Sequence, residues 1–278
     1  MKEKIRKFLA IVFLLIFIIS ITYIIAYFYT TYKNETNFKE LQSIMNTVRV
    51  VENKNIASEN EPQNVNSYEV NQEKNNNAKI ENFKELKKLY SNIVAWIEIE
   101  NTTINYPIMQ SNDNDYYLYR NYKNEYSRYG SIFLDYKYDF SKDSQNFLIY
   151  GHNNNDEMMF NELLKYQEKE YFEAHPSINL ITENDITNYK IVSVFKSQVY
   201  SQDATNVFRY YNYVDLSNED TFTNYITNVK KASIYDIDIE PKLGDDIITL
   251  STCEYSKPNG RFVIVGISEK NSKMLENK

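Results

Sequence analysis

The sequence predicts a mainly β fold with inserted helices, preceded by N-terminal helices and a transmembrane helix. Three observations lead to this fold class. Beyond Ile93, β-branched and aromatic residues gather in short runs that polar segments separate. Two helical patterns interrupt these runs, and a long apolar segment lies near the N-terminus. Many short strands indicate a barrel or a sandwich, and with the interrupting helices we expect a β-barrel.

The apolar segment runs from Phe8 to Tyr29 and contains no charged residue. At about 1.5 Å per residue it extends about 33 Å, enough to cross the hydrocarbon core of a bilayer. It is longer than the apolar part of a signal peptide and ends in aromatic residues rather than a cleavage site, so we expect it to stay attached. Lys2, Lys4, Arg6 and Lys7 precede it and only Lys33 follows soon after, which predicts a cytoplasmic N-terminus and an external domain.

The segment after the membrane helix is expected to be a linker. An apolar stripe at Phe38, Leu41, Met45 and Val48 indicates an amphipathic helix, and residues 52–80 are rich in Asn, Glu and Lys without such a pattern. A further short helix is expected to begin at Asn82. The predicted organisation is therefore an anchor at 1–31, a helical and polar linker at 32–80 and a catalytic domain at 81–278.

The outer domain shows seven runs typical of β-strands and two helical segments. The helices are expected near Asp156–Tyr166 and after Ser217, where Asp220 completes a capping box. Phe222, Tyr225, Ile226 and Val229 share one face of the second helix. The predicted strands are Val94–Glu100, Thr102–Met109, Ser131–Leu134, Asn146–Tyr150, Tyr189–Tyr200, Ile247–Cys253 and Arg261–Ser268.

Composition narrows the function classes. The net charge of -7 and the dispersed basic residues argue against nucleic-acid binding. One cysteine rules out an internal disulfide. The acidic residues around Asp113, Asp115, Asp245 and Asp246 lack a metal-ligand spacing, so neither a metal nor another cofactor is expected.

Cys253 and Arg261 are predicted to lie next to each other. Cys253 ends one predicted strand, and a short loop that closes with Gly260 leads directly into the next strand at Arg261. If these two strands pair antiparallel, the thiol and the guanidinium emerge on the same rim of the sheet. A nucleophile would then adjoin a fixed positive charge, which favours the thiolate form of a thiol.

His152 is the candidate acid or base. It follows an apolar strand at the point where the chain enters a loop, where rigid scaffolds often present catalytic groups. The other histidine, His175, lies in a charged stretch and is expected to be structural or exposed. Spacing alone does not bring residues 152 and 253 together, and a lone cysteine is more often a buried small hydrophobe. On the residues alone, both interpretations stay open.

Several motifs together resemble the sortases, and class B in particular. The run Thr-Leu-Ser-Thr-Cys at 249–253 is followed by an arginine eight positions after the cysteine, and Tyr-Gly-His-Asn lies upstream at 150–153. The helix after Ser217 resembles an insertion of that class. The resemblance extends over about residues 90–268 and includes Trp96-Ile97, Tyr106 to Gln110, Asp113-Asn114, Tyr117-Leu118 and Gly130 to Asp135.

The resemblance implies a sortase-like closed β-barrel of about eight strands and a two-step transpeptidation. By that resemblance Cys253 attacks a threonine carbonyl in a C-terminal sorting motif of the Asn-Pro-x-Thr kind and forms a thioacyl enzyme. His152 protonates the departing amine, and Arg261 holds the substrate and stabilises the oxyanion. Ser251 and Thr252 are expected to contact the substrate, because Ser251 shares a strand face with Cys253. Glu254 is expected to have a supporting role.

The implied partners are surface proteins with a sorting signal and an amine of a peptidoglycan cross-bridge or lipid-linked precursor. A pilus-assembling sortase, which would transfer the protein to a lysine, is the nearest alternative. A membrane-tethered binding module without catalysis and a general cysteine peptidase are two others. If the chain is a binding module, replacing Cys253 with alanine should leave its function intact. If it is a general peptidase, water should resolve the intermediate as well as an added amine does.

Overall fold

The computed structural model describes residues 2–56, 65–142, 146–154 and 158–268. The chain forms two compact units, Met1–Ser43 and Ile44–Lys278. The first unit belongs to a single helix, and the second contains a closed barrel. The helices are α1 (Lys2–Ile56), α2 (Val65–Leu89), α3 (Lys169–Ala174) and α4 (Glu219–Ala232).

The strands are β1 (Ile93–Glu98), β2 (Asn105–Met109), β3 (Ile132–Leu134), β4 (Asn146–Tyr150), β5 (Ser177–Ile181), β6 (Ile186–Gln198), β7 (Ile247–Cys253) and β8 (Gly260–Ser268). They close in the order β1-β2-β3-β4-β7-β8-β6-β5. The closed barrel that the resemblance implies is therefore confirmed. The pairs β2–β3 and β4–β7 are parallel, and the other neighbours are antiparallel.

The barrel includes one strand that the sequence analysis missed. Strand β5 alternates half-buried Ser177 and Asn179 with buried Ile178 and Leu180, but it is only five residues long and follows a charged helix. Strand β6 begins at Ile186, earlier than predicted. Because β5 hydrogen-bonds to both β6 and β1, it closes the barrel.

The N-terminal helices are longer than predicted. The apolar segment and the amphipathic segment form one helix, α1. Among the described residues, α1 is the one helix that is long and apolar enough to cross a membrane. The expected helix start at Asn82 is wrong, because α2 already begins at Val65 and Asn82 lies inside it. No glycine or proline interrupts residues 65–89, and the Lys, Glu and Gln residues before Asn82 favour helix even without an apolar stripe in that part. Residues 57–64 of the predicted polar linker lie outside the described residues.

The helix before the last two strands is confirmed with a one-residue shift. Its N-cap is Asn218 rather than Ser217, since the Asn218 side chain accepts a hydrogen bond of 3.1 Å from the Thr221 amide. The four residues of the predicted face, Phe222, Tyr225, Ile226 and Val229, are all buried. They pack in a cluster with β6, β7 and β8, which holds α4 against the strands that carry Cys253 and Arg261.

The expected helix at 156–166 is wrong in position. The described residues form a 3₁₀ helix at Asn161–Gln167, which α3 follows. The first residues of the prediction, up to 157, lie outside the described residues.

An ion pair joins α2 to the barrel. The Lys79 ammonium donates to the Glu98 carboxylate of β1, and each side chain is only 10% exposed. We expect Lys79→Met to lower the free energy of unfolding by roughly 3 kcal/mol, because it leaves a buried carboxylate without this partner. Chemical denaturation measures the loss. The control is Lys84→Met, which breaks an exposed pair with Glu81 on the same helix and should change stability little. Equal losses of unfolding free energy in both variants would contradict the stabilising role of the buried Lys79–Glu98 pair.

Candidate active site

Two strand pairings bring the predicted catalytic residues together. Strands β4 and β7 are parallel, with Tyr150 opposite Ser251, so the residues that follow each strand meet at one edge of the barrel. His152 follows β4 and Cys253 ends β7. Strands β7 and β8 are antiparallel with Cys253 opposite Arg261, as the sequence predicted. The barrel therefore places a thiol, an imidazole and a guanidinium at the same edge.

Gly151 makes the exit from β4 possible. A methyl group at this position would lie 2.4 Å from the Ile132 side chain and 2.7 Å from the Phe160 ring, distances that real contacts do not reach. The Gly151 amide donates to the Ser251 carbonyl at 3.1 Å and extends the parallel pairing by one bond. The residue before His152 is thus held tightly between β7 and the core.

A cavity of about 440 Å³ lies at this edge, and His152, Cys253 and Arg261 all line it. Cys253 is partly exposed, so its sulfur is accessible, unlike that of a buried structural cysteine. The other lining residues come from the turn after β2, from β3 and β4, from the segment between β6 and α4, and from β7. They include Asn114, Leu118, Asp135, Tyr150, Tyr210, Tyr211, Ser251 and Thr252.

The His152 ring is held by a backbone carbonyl. Its Nε2 lies 2.7 Å from the Leu118 oxygen, which only accepts hydrogen bonds, so Nε2 carries the proton in this contact. In the neutral ring, the other nitrogen, Nδ1, then has no proton and can accept a hydrogen bond. The Tyr119 ring lies beside the imidazole, with 6.3 Å between the ring centroids. His175 instead contacts the Tyr171 carbonyl at the end of α3 through its Nδ1.

The Arg261 guanidinium is anchored by its own loop. Its Nη1 donates to the Gly260 carbonyl at 2.9 Å and to the Asn259 carbonyl at 3.4 Å. Within the described part of the chain, no carboxylate forms an ion pair with Arg261. Its charge therefore remains available to an oxygen atom of a ligand in the cavity.

Ser251 and Thr252 line the cavity, but their hydroxyls have partners inside the protein. Ser251 Oγ lies 2.7 Å from the Tyr210 hydroxyl, and Thr252 Oγ1 donates to the Gly151 carbonyl at 2.8 Å. Both residues are at most 2% exposed. These hydrogen bonds fix the end of β7 against β4 and the Tyr210 segment. Contact of Ser251 and Thr252 with the substrate stays a prediction.

Glu254 follows Cys253 directly but does not line the cavity. Its carboxylate accepts hydrogen bonds from the amide and hydroxyl of Ser256 and forms a 3.5 Å ion pair with Lys196. Although burial opposes ionisation, the Ser256 hydrogen bonds and Lys196 together keep the pKa of Glu254 below its usual value. It stabilises the loop between Cys253 and Arg261, which is compatible with the supporting role that the sequence analysis predicted.

Tyr210 is a site residue that the sequence analysis missed. It lies in a short 3₁₀ helix, Tyr210–Asn212, between β6 and α4. Burial raises its pKa to about 12, so at neutral pH it remains a neutral phenol that can donate to Ser251. Nothing in the local sequence distinguishes it among 26 tyrosines.

We expect Tyr210→Phe to lower both stability and activity. Removing the hydroxyl leaves a buried Ser251 oxygen without its partner, which costs about 1–2 kcal/mol, and it loosens β7 two residues before Cys253. The control is Tyr225→Phe, which removes a similar buried contact to Thr249, further from Cys253 on the same strand. Both variants should lose similar stability in denaturation, but only Tyr210→Phe should lower kcat. A lowered kcat in both variants would refute a specific role of Tyr210.

A buried carboxylate forms part of the opposite wall. Asp135 is 2% exposed and accepts hydrogen bonds from the Tyr150 hydroxyl at 3.0 Å and the Asn114 amide at 2.9 Å. Burial and the Asp135 charge raise the pKa of Tyr150 well above its usual value, while Arg261 acts in the opposite direction. The motif that carries the resemblance included Asn114 and Asp135, but only the fold shows that they meet.

The comparison with known proteins agrees with this geometry. Residues 97–269 match the family model of the sortase domain. Over 185 residues the chain is 40% identical to sortase B of Listeria monocytogenes and 32% identical to sortase B of Staphylococcus aureus. Each alignment spans 66% of this chain and 72% of the relative.

A solved structure shows the same architecture. The crystal structure of sortase B from B. anthracis is 31% identical in sequence, with a TM-score of 0.65, and the match spans 87% of this chain and 98% of that one.

Proposed function

The chain belongs to the sortase family and is a class B cysteine transpeptidase, and from that membership we propose that it attaches surface proteins to peptidoglycan. The donor would carry a C-terminal sorting motif of the Asn-Pro-x-Thr kind. The single observation that supports the proposal is that Cys253, His152 and Arg261 line one cavity at one edge of the barrel.

In the first step, the Cys253 sulfur attacks the threonine carbonyl carbon of the motif. Arg261 donates to the oxygen that becomes negative, and His152, which has taken the proton of the Cys253 thiol, transfers it to the departing amine. The C–N bond breaks, and a thioester remains on the enzyme. The carbonyl of Leu118 favours this role of His152, because it accepts from Nε2 and stabilises the protonated ring, which leaves Nδ1 to exchange the proton.

In the second step, an amine attacks the thioester carbonyl carbon. The C–S bond breaks, a new amide forms, and the amine proton passes through His152 to the sulfur, so that the thiol is restored. We propose an amine of a peptidoglycan cross-bridge or a lipid-linked precursor as the acceptor. A protein lysine would react by the same chemistry.

We further propose that residues 1–31 anchor the enzyme in the cell membrane with the N-terminus in the cytoplasm. Residues 32–80 would link this anchor to the catalytic domain, 81–278, on the outer face. The apolar segment of α1 and the basic residues before it support this arrangement. A protease added to intact cells should then remove the catalytic domain and leave the N-terminus protected.

The experiment that tests the function uses the full chain in detergent with a panel of sorting peptides. Mass spectrometry of the enzyme reveals the thioacyl adduct, and mass spectrometry of the products after adding amines identifies the acceptor. We expect an adduct with Asn-Pro-x-Thr peptides and an amide product with a cross-bridge peptide. Failure to form an adduct with any sorting peptide would refute the proposal, and a product with water alone would indicate a peptidase.

A further inference from the structure

Two exposed tyrosines flank the loop that carries His152. Tyr119 is 56% exposed and places its ring beside the imidazole. Tyr255 lies in the loop between β7 and β8, is 71% exposed, and donates its hydroxyl to the Asn153 carbonyl at 3.0 Å. The Tyr119 ring therefore lies beside His152 and comes from the segment after β2. The Tyr255 side chain contacts the next residue, Asn153, and comes from the loop that follows Cys253.

Tyr255 also lies in the loop that joins the other two catalytic groups, Cys253 and Arg261. Burial of its hydroxyl end and the neighbouring Cys253 raise its pKa, while the Arg261 charge acts in the opposite direction. Its ring is nevertheless exposed over most of its surface. The side chain thus reaches from the loop between Cys253 and Arg261 to the loop that carries His152, and most of it is exposed to solvent.

These two rings are separate from the cavity. Leu118 and Cys253 line the cavity. Tyr119 and Tyr255, which follow them by one and two residues, do not line it. The thioacyl enzyme keeps the donor peptide in the cavity, so the second substrate has to approach the thioester carbon from another side. His152 has to lie on that side, because it takes the proton of the attacking amine. Tyr119, beside the imidazole, and Tyr255, on the Asn153 carbonyl, are exposed side chains that border the loop carrying His152.

An aromatic entrance suits an amine nucleophile. Aromatic faces contact the CH groups and backbone of a peptide and replace water around it. An amine attacks only in its uncharged form, and both desolvation and a nearby positive charge favour that form over the ammonium. The rings supply the first effect and Arg261 supplies the second.

We propose that Tyr119 and Tyr255 form the entrance for the acceptor and bind the peptide segment next to its reactive amine. This inference rests on the transpeptidation proposed above. It assigns the acceptor to the solvent side of His152 and the donor to the cavity. The Tyr255 ring binds the acceptor, while the Tyr255 hydroxyl bond to Asn153 only orients that ring.

The test measures the acceptor dependence of the second step. The full chain in detergent is first charged with the sorting peptide, and the adduct is measured by mass spectrometry before any amine is added. Triglycine or Nα-acetyl-lysine amide is then titrated, and the ratio of amide product to hydrolysis product is followed. The variants are Tyr119→Ala, Tyr255→Ala and Tyr255→Phe. Tyr136→Ala is the matched control, because Tyr136 is also exposed but belongs to the segment after β3, where its amide donates to the Asn114 side chain.

We expect each of the two entrance alanine variants to raise the KM for the amine roughly fivefold, with more hydrolysis at a given amine concentration. Tyr255→Phe keeps the ring and should resemble the wild type, as should Tyr136→Ala. An unchanged amine KM in both entrance alanine variants would overturn the inference. Equal losses in Tyr255→Phe and Tyr255→Ala would also overturn it, since the hydroxyl bond would then be the important feature. A wild-type enzyme that forms no adduct before amine addition would instead refute the proposed function, and the inference with it.

Discussion

Replacing Cys253 with alanine is expected to abolish the thioacyl adduct and to lower transpeptidation at least about 10⁴-fold, because no other group can form the covalent intermediate. Cys253 is the only cysteine in the chain, so the variant has no thiol at all. The intact mass of the enzyme after incubation with the sorting peptide measures the adduct directly. Thiol labelling of the wild type should compete with adduct formation.

Loss of activity in this variant is informative only if the cavity remains intact. Cys253 is partly exposed at the end of β7, and its backbone carbonyl accepts from the Asn153 side chain at 2.9 Å, a contact that alanine preserves. We therefore expect an unchanged unfolding transition and continued binding of the sorting peptide, measured by fluorescence anisotropy. A covalent adduct that persists in Cys253→Ala would show that another residue is the nucleophile.

Replacing Arg261 with lysine is expected to lower kcat/KM for the sorting peptide roughly 10²-fold, although the charge is retained. Removing one oxyanion donor from an acyl-transfer site typically has an effect of this size. Lysine lacks the planar fork with which arginine donates to an oxyanion while other N–H groups bind the Gly260 and Asn259 carbonyls. Arg261→Ala should be worse still, because it removes the charge as well.

The control for this prediction is Lys196→Ala, which removes a positive charge on the neighbouring strand β6. Lys196 pairs with Glu254, and neither residue lines the cavity. Steady-state kinetics should show a small effect for this variant and a large one for both Arg261 variants. Wild-type kcat/KM in Arg261→Lys would mean that charge alone suffices and that the donor geometry is unimportant.

Local patterns in the sequence were enough to predict the apolar segment of α1, the buried face of α4, and the antiparallel β7 and β8 that place Arg261 opposite Cys253. Each of these features depends on residues that are close together in the chain, so the spacing and periodicity of the sequence are enough to predict it. The pattern failed where the local signal is weak. Strand β5 is short, and the first part of α2, before Asn82, is a polar segment without an apolar stripe.

Only the tertiary structure decided how the site is assembled. His152 meets Cys253 because β4 pairs with β7 in parallel, although about one hundred residues separate the two strands in the chain. Tyr210, Leu118 and Asp135 reach the same cavity from three other segments. Residue type and spacing determine which side chains are capable of the chemistry. The closure of the barrel determines which of them meet, since pairing between distant strands depends on the packing of the whole core rather than on any local pattern.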